Sequence, residues 1–98
     1  LRRLTEMLRS VSDLDLRNLA ECFLIDDDFM KRFAACPAGV KHHHAYAGGL
    51  LQHVVDLMEL VRVVSPRYPQ LNADLLLLGA FLHDIGKIDE LTSDKGLA

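Results

Sequence analysis

Apolar residues recur along this chain at helical spacing, and no stretch alternates as a half-buried strand does. Leu1, Leu4, Met7 and Leu8 predict a first helix over about 2–10. Ser12 with Asp15 three residues later forms a capping signature, opening a second helix through Leu16, Leu19, Ala20 and Phe23. Asp26 to Asp28 are the acidic start of a third, which carries Phe29, Met30 and Phe33 and is ended by Pro37 and Gly39. A fourth helix runs from about Tyr46 to Val64 and is closed by Pro66. Asn72 caps the fifth, which ends near Asp84 with Gly86 as its stop. The pattern predicts an all-α array of about five helices, without internal repeats, a Gly-rich phosphate loop or a strand-turn-helix nucleotide fingerprint.

The fifth helix carries the candidate chemistry. Its run Leu75-Leu76-Leu77-Leu78-Gly79-Ala80-Phe81-Leu82 has no polar side chain, which predicts burial on every side. His83 and Asp84 follow at once, and polar groups at the end of a buried helix need partners because unpaired desolvation is costly. A metal ion satisfies both, since it accepts neutral imidazole and ionised carboxylate together. Asp84 also sits where the helix dipole disfavours an anion, a penalty that a nearby cation removes. Lys87 can be that cation, or it can reach a substrate phosphate.

On the fourth helix, Tyr46, Leu57, Leu60 and Val64 lie within roughly 40° of the direction of His53. His53 is therefore placed on the apolar stripe, either as a satisfied core histidine or as a ligand facing His83 and Asp84 on the next, antiparallel helix. The triplet His42-His43-His44 has native-looking sequence on both sides, unlike an affinity tag. In a helix extended back to residue 42, His44 would point about 180° from His53, and His42 would lie roughly 16 Å away along the axis. The triplet can reach the same site only from a loop, as metal ligand or as substrate contact, and otherwise it is plain surface. Gly48-Gly49 in the first turns of that helix costs about 1 kcal/mol per glycine relative to alanine. Close approach by another backbone or by a ligand is the usual reason for such a pair.

The bulk numbers narrow the classes. Ninety-eight residues, half of them hydrophobic, make one small domain with a real core, or a piece of a larger one. A net charge of −3 gives no basic stripe for holding a polyanion unaided. Cys22 and Cys36 have no metal-ligand spacing and fit reduced thiols in a cytoplasmic protein. No run approaches the roughly 18 apolar residues of a membrane span, and no signal peptide is evident. The chain opens on Leu1 already in helical register and closes after the polar run from Thr92 to Gly96, so it reads as a segment of a longer polypeptide.

His53 followed thirty residues later by His83-Asp84 resembles the HD-domain superfamily of metal-dependent phosphohydrolases, in which the sequence His83-Asp84-Ile85-Gly86-Lys87 is a frequent form of the central motif. The string from His43 through Ala45-Tyr46-Ala47-Gly48-Gly49 to His53, with Tyr68-Pro69 and the segment from Asp74 to Leu91, is similar to the YhaM-type 3′–5′ exoribonucleases. The resemblance covers about residues 20–95. It implies that residues 1–40 are helices of, or leading into, the HD domain and that 41–98 are the N-terminal half of its metal-binding core. It implies His53, His83 and Asp84 as metal ligands and Lys87 near the substrate phosphate; Asp84 and Lys87 are then the expected catalytic groups, and His43, His44 and Lys87 the expected substrate contacts. A later aspartate and histidine, expected beyond Ala98, and an N-terminal OB-type domain complete such enzymes, so the segment alone is expected to be inactive.

The implied cofactor is a divalent ion, Mn²⁺ or Mg²⁺ first, although two imidazoles also suit Fe, Ni, Co or Zn. The implied reaction is hydrolysis of single-stranded RNA or DNA from the 3′ end by a metal-activated water. Two other readings stand beside it. One is a phosphohydrolase of small nucleotides, which agrees better with the acidic charge. The other is a non-catalytic binding or dimerisation module, in keeping with a possible homo-oligomer.

Overall fold

The computed structural model describes residues 1–37, 47–86 and 88. His42, His43, His44, Tyr46 and Lys87 lie outside the described residues. Among the described residues the chain forms five α-helices and no strand: α1 (Arg2–Arg9), α2 (Leu14–Leu24), α3 (Asp27–Ala35), α4 (Gly49–Val64) and α5 (Ala73–Leu82), with a 3₁₀ turn at Ser65–Arg67 after α4.

Three of the helices start where a side-chain oxygen accepts one of the first-turn amide protons that have no intrahelical partner. Asp13 Oδ1 accepts from Leu16 N at 2.9 Å, Asp26 Oδ1 from Phe29 N at 2.9 Å, and Asn72 Oδ1 from Leu75 N at 3.1 Å. The cap of α2 is therefore Asp13 and not Ser12. Ser12 and Asp13 instead give their own amide protons to Asp74 Oδ2, at 3.1 and 2.8 Å, which latches the α1–α2 loop to the first turn of α5.

Helix α4 begins differently. Gly48 precedes it at φ +85°, in the left-handed region where an L side chain is strained. Its amide donates to Ala35 O at 3.3 Å and Leu50 N donates to Cys36 O at 3.0 Å, so the end of α3 and the start of α4 are tied backbone to backbone. This close approach accounts for glycine at position 48, and the helix starts at Gly49, later than the Tyr46 expected from the pattern.

The core is built from Leu4, Met7 and Leu8 of α1, Phe33 of α3, Leu50, Val54 and Met58 of α4, and Leu77, Leu78 and Phe81 of α5. Phe81 lies edge-on to Phe23, Phe29 and Phe33, with ring centroids 5.7, 6.4 and 5.6 Å away. Such edge-to-face contacts add to the apolar burial of each ring. Surface ion pairs join Arg3 to Glu59 and Arg9 Nε to Glu21 Oε1, the latter at 2.7 Å.

Two expectations from the pattern are corrected. Helix α5 is buried on one side only: Leu77, Leu78 and Phe81 face the core, whereas Leu75 and Leu76 are 55% and 41% exposed. On α4 the buried line is Leu50, Val54 and Met58, about 100° round the helix from the stripe of His53, Leu60 and Val64. Both lines are apolar, so periodicity could not choose between them.

Candidate metal centre

The turn after α5 brings the candidate ligands together. The helix ends at Leu82, two residues before the expected Asp84, with His83 as its C-cap and His83 N still bonded to Gly79 O at 2.9 Å. The ring nitrogen His83 Nδ1 lies 2.7 Å from Ala80 O, so Nδ1 carries the proton and donates it to this carbonyl. Nε2 is then the atom that His83 presents to its neighbours, and a backbone acceptor behind an imidazole fixes ring orientation in the way common at metal sites.

Asp84 is the junction. Its Oδ2 lies 2.9 Å from His83 Nε2 and 3.2 Å from His53 Nε2. The two imidazole rings are 5.9 Å apart, centroid to centroid, and tilted. Each of the three residues offers one donor atom, and these atoms lie within 4.8 Å of one another. The Asp84 side chain is only 14% exposed, while those of His53 and His83 are 32% and 44% exposed. The carboxylate is thus the most enclosed of the three groups, and both imidazoles reach solvent. This differs from the buried histidines expected from the pattern, because His53 lies off the buried line of α4 and His83 on the exposed side of α5.

Two imidazole nitrogens and one carboxylate oxygen converging in this way fit a divalent first-row ion, which takes this borderline-to-hard donor set. The spacing works because α4 and α5 pack antiparallel, so that His53 near the start of α4 meets the end of α5. Of the residues singled out by the sequence, His53, His83 and Asp84 meet. His43, His44 and Lys87 lie outside the described residues. The Ala80 carbonyl is a contributor that the sequence did not flag, since the orienting group is main chain and carries no side-chain signal.

The segment that carries this His and His-Asp pair belongs to a known class: residues 50–96 match the HD domain family. Among individual proteins it is 36% identical over 90 residues to the 3′–5′ exoribonuclease YhaM of Oceanobacillus iheyensis, an alignment covering 92% of this chain and 28% of that protein. The YhaM of Geobacillus sp. strain WCH70 is 34% identical over 90 residues, covering 92% and 27%. That of Bacillus licheniformis is 45% identical over 62 residues, covering 63% and 20%. The chain therefore spans about 28% of the length of the first of these relatives. No solved structure matches. No helix among the described residues is long and apolar enough to cross a membrane.

Proposed function

We propose that this chain carries the first part of the active centre of a metal-dependent phosphodiesterase that shortens single-stranded nucleic acid from its 3′ end. One observation supports this above all: His53 Nε2 and His83 Nε2 both approach the same oxygen of Asp84. In this reading residues 41–98 carry the N-terminal half of the HD metal-binding core, 1–40 are helices of the HD domain or lead into it, and the protein works in the cytoplasm. His53, His83 and Asp84 hold a divalent ion, Mn²⁺ or Mg²⁺ in the first instance. Such an ion supplies Lewis acidity towards a phosphoryl oxygen and lowers the pKa of a water.

The side chains divide the remaining work. His83, braced through Nδ1 on Ala80 O, holds the direction of its Nε2 constant. Asp84 would hold the cation and orient the attacking water, taking its proton at a carboxylate oxygen and returning it to the 3′ oxygen that leaves as its bond to phosphorus breaks. Lys87 offsets the charge that grows on the phosphate, while His43 and His44 contact the substrate backbone. The named relatives support RNA as the polymer.

A second reading, hydrolysis of small nucleotides, is favoured by the net charge of −3. A salt series on the polypeptide containing residues 1–98 separates the two. Turnover of 5′-labelled single-stranded RNA with Mn²⁺ should weaken steeply as salt rises, whereas mononucleotide turnover should change little. His83→Ala should abolish the 3′ shortening. Undiminished shortening by that variant would remove the proposal, and mononucleotide turnover without any RNA shortening would favour the second reading.

A further inference from the structure

Of the three candidate ligands, Asp84 lies farthest from the support of a helix. His53 sits within α4. His83 is tied to α5 twice, by its amide on Gly79 O at 2.9 Å and by its ring on Ala80 O at 2.7 Å. Asp84 follows in the turn beyond, where Ile85 N donates to Leu82 O at 3.2 Å and Ile88 N to Ile85 O at 3.1 Å. Bonds between residues three apart have poorer geometry than those of an α-helix, so they hold such a turn weakly.

Burial supplies the stronger hold. Phe81, before the turn, is fully buried, and Ile88, after it, is 3% exposed in the same core. Ile85 packs partly against that core between them. The backbone of Asp84 is therefore suspended between two seated apolar side chains, three residues one way and four the other.

We propose that Ile88 is a positioning residue of the metal centre: its seat in the core keeps the turn closed and the Asp84 carboxylate between the two imidazoles. The inference rests on the metal centre proposed above. It assigns Ile88 an effect on Asp84 and not on His83, whose direction α5 already supplies. Closure of the turn and binding of the ion are then linked, each favouring the other by the same factor.

Mn²⁺ titration of the polypeptide containing residues 1–98, read by electron paramagnetic resonance, tests the assignment. Ile88→Ala should weaken binding by about tenfold or more, as loss of a supporting contact at a metal site does, whereas Ile88→Val should stay within about twofold of the parent. Leu4 is as deeply buried but lies on α1, so Leu4→Ala, compared at equal folded fraction, should also stay within about twofold. In an Asp84→Asn background, Ile88→Ala should add less than about twofold, because a residue acting through Asp84 has nothing left to position. A further readout needs no substitution: Zn²⁺ at about 100 times its Kd should slow hydrogen exchange at the Ile85 and Ile88 amides by at least about tenfold, since opening the turn then requires release of the ion. Equal weakening by Ile88→Ala with and without the Asp84 carboxylate, a matching loss in Leu4→Ala, or amides indifferent to the ion would overturn the proposal. A parent that binds no divalent ion would remove the metal centre and this inference together, while undiminished binding by Ile88→Ala beside a binding parent would remove this inference alone.

Discussion

The same substitution should have opposite effects at two glycines. Gly48 sits at φ +85°, and an alanine there takes a left-handed conformation that costs roughly 1–2 kcal/mol. Its Cβ would come 3.4 Å from Ala34 O, ordinary contact distance, so the steric addition is small. Alanine also narrows the unfolded ensemble, which returns about 0.4–1 kcal/mol. The net expectation for Gly48→Ala is a loss of about 1 kcal/mol. Gly79 lies inside α5, and among the described residues nothing comes within 4 Å of where a Cβ would stand. Helix propensity then governs, and Gly79→Ala should gain about 0.5–1 kcal/mol. In a chain of this size each kcal/mol moves the melting midpoint by about 4–8 °C, so the two variants should differ by roughly 6–16 °C. Urea and thermal unfolding followed by far-UV circular dichroism read both. A Gly48→Ala protein as stable as the parent would refute the backbone argument for the α3–α4 junction. A destabilised Gly79→Ala would show that the open side of α5 is filled.

Other outcomes follow from the packing. Phe81→Ala removes the ring that Phe23, Phe29 and Phe33 surround and should cost about 3–5 kcal/mol in urea unfolding. Asp74→Ala withdraws the acceptor of the Ser12 and Asp13 amides, and should cost about 1 kcal/mol and raise hydrogen exchange at those two amides first. The hydrogen bond from Arg3, reinforced by its charge, holds the Glu59 carboxyl below its ordinary range. A depressed folded-state value gives stability that is present above the unfolded pKa and lost as pH falls through the folded one, so Arg3→Ala should flatten the acid limb of the stability profile.

Much of this fold was legible because its signals are local. Asp26 and Asn72 cap helices from within three residues of the amides they serve, and Pro37 and Pro66 mark breaks in the same short range. What escaped depends on contacts between distant residues. Asp74 claims the amides of Ser12 and Asp13 across some sixty positions, which leaves Asp13 and not Ser12 to cap α2. Apolar residues line more than one side of α4 and every side of α5 after Asp74, so only tertiary packing decides which line is buried. That decision is what leaves His53 and His83 half open. The three candidate ligands were legible from residue type and order, because a His-Asp pair ending an apolar helix needs a partner. The brace on His83 was not, since the Ala80 carbonyl belongs to the backbone.

The proposed metal centre requires that His53, His83 and Asp84 bind one divalent ion together. Mn²⁺ added to the chain and followed by electron paramagnetic resonance, with nitrogen couplings resolved by pulsed methods, reads both the binding and the ligands. The expected result is one site with coupling from two imidazoles, losing one coupling in His53→Ala and weakened by about tenfold or more in Asp84→Asn. Binding without nitrogen coupling, or binding unchanged in both variants, would contradict the assignment.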